Sequence, residues 1–109
     1  MLEILRKRGN EMNISKNLEG LKLEIVLEGR LDTTTSPNLE TELKQSFDGI
    51  QELVFDFAKL EYISSAGLRV LLSAQKVMNK QGSMVVKNVN EVISEVFEVT
   101  GFSDILTIE

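Results

Sequence analysis

Leu53-Val54-Phe55-Asp56-Phe57-Ala58-Lys59-Leu60-Glu61-Tyr62-Ile63-Ser64-Ser65-Ala66-Gly67-Leu68-Arg69-Val70-Leu71-Leu72 is the stretch whose reading decides the fold. Its first five residues, Leu53–Phe57, form an apolar run rich in Val and Phe, the pattern of a buried strand. From Gly67 the period changes. Gly67, Val70, Leu71, Ala74, Val77 and Met78 fall on one helical face, and Arg69, Ser73, Lys76 and Lys80 on the other. Between strand and helix, a short polar connection delivers Ser64 and Ser65 to the helix start. In an α/β domain such a junction is where binding or chemistry is usually presented.

Working outward, the upstream chain supplies a hairpin. Met12 and Ile14 alternate with Asn13 and Ser15, and Asn17–Gly20 reads as a turn. Leu21, Leu23, Ile25 and Leu27 then alternate with Lys22, Glu24 and Glu28, which predicts a strand with one wet face; Val26 is the exception. A strand-to-helix loop, Gly29-Arg30-Leu31-Asp32-Thr33-Thr34-Thr35-Ser36-Pro37, follows. Ser36 is the expected N-cap and Pro37 the first helical residue. Leu39, Leu43 and Phe47 make the apolar stripe of that helix, and Gly49 ends it.

Downstream, Gly82 closes the second helix and Ser83–Val89 reads as a strand. Asn90 caps a third helix with Ile93, Val96, Phe97 and Thr100 inward and Glu91, Glu95 and Glu98 in solvent. Gly101 suits the left-handed position after a helix. Ile105–Glu109 is expected as a last short strand. The order ββ-α-β-α-β-α-β implies parallel pairing through right-handed crossovers. If strands adjacent in sequence are adjacent in the sheet, the crossover helices share one face and the other stays open. The wet alternation of Leu21–Glu28 supports this. The expected class is therefore α/β: a mixed, mostly parallel sheet with an N-terminal antiparallel hairpin and crossover helices on one face.

The 109 residues suffice for one domain, and 42% hydrophobic content supports a core. Residues 12–109 read as that domain. Met1–Glu11 stand apart, with Leu2, Ile4 and Leu5 ahead of the basic Arg6-Lys7-Arg8. They read as a loosely ordered extension, a short helix on an exposed sheet face, or an upstream addition before a natural start at Met12. With no Cys and no His, the chain has no disulfide, thiolate nucleophile, Cys/His zinc site or His-based triad. The formal charge of −5, from 12 basic and 17 acidic residues, argues against sequence-independent nucleic-acid binding. Apolar runs are too short for membrane insertion, and no signal-peptide pattern is visible.

Nothing in the chain promises catalysis. Phosphate-binding and dinucleotide glycine motifs are absent, as is a nucleophile elbow. Ser65-Ala66-Gly67 has no histidine to serve as base, and no S-x-x-K stands at Ser64 or Ser65. No cofactor or metal is expected. Two readings of the serine pair remain. One is helix capping, which needs a single serine. The other gives the second serine a free hydroxyl near the positive end of the helix dipole, where a phosphate would be tolerated without breaking the fold.

Phe55-Asp56-Phe57 through Tyr62-Ile63-Ser64-Ser65-Ala66-Gly67-Leu68 closely resembles the signature of STAS domains, specifically the bacterial anti-sigma factor antagonists. Gly29-Arg30-Leu31-Asp32 resembles the family's G-x-L-D stretch, and Val96-Phe97-Glu98-Val99-Thr100-Gly101-Phe102 its C-terminal helix ending. The resemblance spans residues 12–109. It implies a cytoplasmic, non-enzymatic regulator that binds an anti-sigma factor, itself a serine kinase of the histidine-kinase-like ATPase type, and so frees a sigma factor. Phosphorylation would release the antagonist, and a PP2C-type phosphatase would reset it. By position the phosphoacceptor corresponds to Ser65, with Ser64 the second choice. Asp32, Thr33, Thr34 and Thr35 correspond to loop residues that contact the kinase. Ser64, Ser65, Ala66, Gly67 and Arg69 complete the expected partner-binding set. Many members carry Asp-Ser-Ser-Gly or Asp-Ser-Thr-Gly here; this chain has Ser64-Ser65-Ala66-Gly67. The alternative within the same family is a STAS scaffold or small-ligand-binding component of a larger assembly, such as a transporter, that works without phosphorylation.

Overall fold

The computed structural model describes residues 12–109; the readings given for Met1–Glu11 lie outside the described residues. Strands β1 (Asn13–Glu19), β2 (Lys22–Leu31), β3 (Glu52–Ile63) and β4 (Ser83–Lys87) form one sheet in the order β1-β2-β3-β4. The first pair is antiparallel and the other two are parallel. Helices α1 (Ser36–Ser46) and α2 (Ser65–Gln81) make the crossovers, and α3 (Glu91–Thr100) follows β4. Sequence neighbours are therefore sheet neighbours, as expected.

One core holds the layers together. Leu23, Ile25 and Leu27 from β2, Leu53, Phe55 and Phe57 from β3, and Met84 and Val86 from β4 are buried on one side of the sheet. They meet Leu39 and Leu43 of α1, Leu71, Ala74 and Met78 of α2, and Ile93 and Phe97 of α3. Each of these side chains larger than alanine contributes about 1.5–3 kcal/mol by leaving water. On the opposite side, Glu24, Val26, Val54, Asp56, Val85 and Lys87 are only partly buried. That is the expected open face, and it is laced by polar contacts. Lys87 reaches Glu24 at 3.3 Å. Asp56 Oδ1 accepts from Asn88 Nδ2 at 2.9 Å and from the Ala58 amide at 3.0 Å. These donors, the Asn88 amide first, hold the Asp56 carboxyl below the usual carboxylate range.

Several local expectations need correction. β3 does not stop at Phe57 but continues to Ile63. It carries two register shifts against β2, between Val26 and Glu28 and between Gly29 and Arg30, and β3 supplies the extra residue at each. Buried positions consequently fall at Phe57, Leu60 and Ile63, every third residue, so the period-2 signature vanishes where the bulges lie. Gly29-Arg30-Leu31 belongs to β2 rather than to a loop, and the connection shrinks to Asp32–Thr35. The hairpin turn is Gly20-Leu21, because β1 runs to Glu19, and Leu21 is 53% exposed rather than inward.

The helix start at Ser36 is also different. The capping position is Thr35, and Ser36 is already helical. Asp32 Oδ1 accepts from the amides of Thr34 and Thr35 at 3.0 and 3.1 Å and Asp32 O accepts from the Ser36 amide at 2.8 Å, so the aspartate turn starts the helical backbone before Ser36. Ser36 Oγ is buried with no partner among the described residues. At the other end of the chain, Thr100 is exposed, not inward. β4 ends at Lys87 instead of Val89. The expected strand Ile105–Glu109 reduces to one parallel bridge, Val86 to Ile108, after a 3-10 turn at Phe102–Asp104. Two caps stand as expected. Asn90 Oδ1 accepts from the Ile93 amide at 2.8 Å, and Gly101 takes the left-handed φ of 83°.

Candidate functional site

Leu31 and Ile63 are register partners at the ends of the two central strands, β2 and β3. Both strands run the same way, so both following loops leave at one end of the sheet. The Ser64 amide donates to Leu31 O at 2.9 Å and ties the loops together. The G-x-L-D stretch and the serine pair, thirty residues apart in sequence, thus form a single surface.

On the serine side, Ser64 has the extended backbone of an N-cap (φ −101°, ψ 177°), and its Oγ accepts from the Gly67 amide at 3.4 Å. Ser65 is the first residue of α2 and is exposed. Gly67 is buried, and a Cβ there would lie 2.8 Å from Leu31 Cγ and 2.9 Å from Ile63 Cγ1. Only glycine lets α2 begin this close to the strand ends. Arg69 is exposed one turn beyond Ser65, at the i+4 spacing that places two side chains on the same face.

On the aspartate side, the loop is built from its own polar groups. Thr35 is 1% exposed. Its Oγ1 donates to Arg30 O at 2.7 Å and accepts from the Asp32 amide at 2.9 Å. Thr35 therefore shapes the loop, whereas Thr33 and Thr34 face outward. Asp32 is half-buried; one oxygen organises the turn, and Oδ2 lies 3.7 Å from Arg30 Nε. A cleft of about 350 Å³ separates the two sides, lined by Thr33, Ser36, Pro37, Ala66, Arg69 and Ser73 among others.

Two residues at this end of the sheet escape a reading of the sequence. The Arg30 guanidinium sits 4.3 Å from the centroid of the Tyr62 ring, a cation–π contact. They are cross-strand partners, and Tyr62 is 38% exposed. Their pairing depends on the second register shift, and nothing local in the sequence marks it. The electrostatic character of the surface is mixed, with Arg30 beside Asp32 and Arg69 on the cleft wall. Among the described residues no group of acidic side chains has the arrangement to hold a metal ion, and no helix is long and apolar enough to cross a membrane.

A strand-to-helix serine pair beside an aspartate turn, on a four-stranded mixed sheet, marks a class of small α/β domain. A family model described as the STAS domain matches residues 12–109, and the chain belongs to that family. Among curated relatives, a protein of Bordetella bronchiseptica described as the anti-sigma factor antagonist BtrV is 39% identical over 84 residues, covering 75% of this chain and 72% of the other. Among solved structures, an anti-sigma factor antagonist from Mycobacterium paratuberculosis superposes with a TM-score of 0.84 at 18% identity, covering 94% of this chain and 89% of that one. The Bacillus cell-fate determinant SpoIIAA in its phosphorylated form gives 0.71 at 15% identity, over 88% and 90%.

Proposed function

We propose that the protein is an anti-sigma factor antagonist, a non-enzymatic binding module of the cytoplasm whose partner surface is the joined loops around Asp32 and Ser65. Its partner is an anti-sigma factor that is also a serine kinase of the histidine-kinase-like ATPase type. Binding frees a sigma factor. Phosphorylation of Ser65 turns the module off, and a PP2C-type phosphatase restores it.

The observation that carries this reading is the division of labour in the serine pair. Ser64 holds the cap, while Ser65 is the exposed first residue of a 17-residue helix. A phosphate on Ser65 adds nearly two negative charges close to four helix amides, where the helix dipole favours it. The domain persists while its contact surface changes sign. The resemblance to the family signature and the name of the 39% identical relative support the partner class. The phosphorylated form in which SpoIIAA has been solved is in keeping with a switch of this kind.

The test is direct. Incubation with its cognate anti-sigma factor kinase, plus ATP, should give a single phosphate at Ser65 by peptide mass spectrometry. Ser65→Ala should abolish the modification and Ser64→Ala should not. Ser65→Asp should weaken kinase binding at least tenfold, with an unchanged circular dichroism spectrum. A wild-type protein that acquires no phosphate at either serine would remove the switch from the proposal.

A further inference from the structure

Between α1 and α2 runs a groove of about 390 Å³ that continues the cleft beside Ser65; Glu40, Val70 and Ser73 line both. Its walls are apolar, from Leu43, Phe47, Val70 and Val77. Lys44 and Lys76 also line it, and both are exposed. Glu40 is there too and pairs with Lys44 at 3.7 Å, which leaves Lys76 as the uncompensated cation of the lining among the described residues. The groove is thus a hydrophobic trough with a weakly basic rim.

The complement lies on the same molecule. α3 buries Ile93 and Phe97 and turns Val92 and Val99 outward, 59% and 80% exposed. Seven residues apart, these two valines stand two turns apart on one face. Glu91, Glu95 and Glu98 are exposed beside them. α3 has 10 residues, and the groove is lined from Glu40 to Phe47 and from Val70 to Val77, so it has room for about two turns of helix, the span from Val92 to Val99. With Ile93 and Phe97 fixed in the core, a molecule cannot place α3 in its own groove.

We propose that α3 of one copy docks in the α1–α2 groove of a second, apolar stripe to apolar wall and carboxylates to lysines. Groove and helix are different surfaces, so the contact is heterologous and propagates head to tail. It is independent of the partner-binding reading above. The patch is small and the contact weak, with an expected dissociation constant on the order of 0.1 mM, and the ion pairs are exposed, so added salt weakens it.

Sedimentation velocity of the full chain from about 10 μM to about 1 mM at low salt tests this range. The weight-average sedimentation coefficient should rise with concentration. A groove-blocked variant (Lys44→Glu with Lys76→Glu) and a helix-blocked variant (Glu95→Lys with Val99→Lys) should each be monomeric. Mixed, they should form a one-to-one dimer and nothing larger, since one retains the helix and the other the groove. All four positions are at the surface, and circular dichroism checks that both variants fold. A wild-type protein that stays monomeric throughout overturns the proposal. So does association of a blocked variant as tight as wild type, or a mixture that gives no dimer.

Discussion

Ser64 Oγ sits 3.4 Å from the Gly67 amide, a long hydrogen bond, and that distance sets the scale of what the serine contributes. Replacing an N-cap serine by alanine costs about 0.5–2 kcal/mol, and a bond this long belongs near the lower end. Ser65 has no such duty in the cap. Ser64→Ala is therefore expected to lower the denaturation midpoint measurably, and Ser65→Ala to leave stability within about 0.5 kcal/mol. Urea titration of the two variants side by side measures the difference. Equal losses would show that the two hydroxyls share the cap. The sequence makes Ser64 the cap and leaves the Ser65 hydroxyl free, as found, but it does not show where β3 ends. The bulges decide that, and they lie outside the alternation pattern.

At the scale of elements, α2 is seated by the absence of a side chain. In a helix, alanine is favoured over glycine by about 1 kcal/mol. At Gly67 that gain is opposed by overlap with the branched carbon of buried Leu31, and overpacking of this kind costs about 1–3 kcal/mol. Gly67→Ala should therefore destabilise the fold by roughly 1 kcal/mol net and lift the helix start away from β2. A thermal melt with amide exchange at Ser64 and Leu68 reports both effects. The helices themselves are plain in the sequence: α2 and α3 carry their apolar faces at helical spacing, with Asn90 and Gly101 as punctuation. The aspartate turn is not. Ser36-Pro37 looks like a better helix start than Asp32, and only the three-dimensional loop shows that the Asp32 turn has already begun the helical backbone.

For the molecule as a whole, the open sheet face brings a pH dependence. The Asp56 carboxyl is held below its ordinary range by the Asn88 amide above all, with the Ala58 amide, Lys87 and Lys59 assisting against partial desolvation. A depressed carboxyl contributes stability that is present above its unfolded value and is lost as pH falls through the lower folded value. Asp56→Asn should flatten the decline in urea midpoint between pH 4 and the acid limit, with Asn88→Ala acting the same way. An unaltered acid limb in both variants would assign the loss to other carboxylates. This network could not be read from the chain, because Asp56 and Asn88 are brought together by the β3–β4 register and by the positive φ of 62° at Asn88. The layered architecture could be read, since the alternation in β2, broken only at Val26, states that one face of the sheet is covered.

The sheet order β1-β2-β3-β4 repeats the order of synthesis. Each strand emerging from the ribosome meets its partner already in place, and no strand must be inserted between two that have paired. The nascent chain can therefore assemble from its N-terminus as a series of additions to one growing edge. β2 and β3, which carry the two loops of the proposed partner surface, are joined before β4 exists.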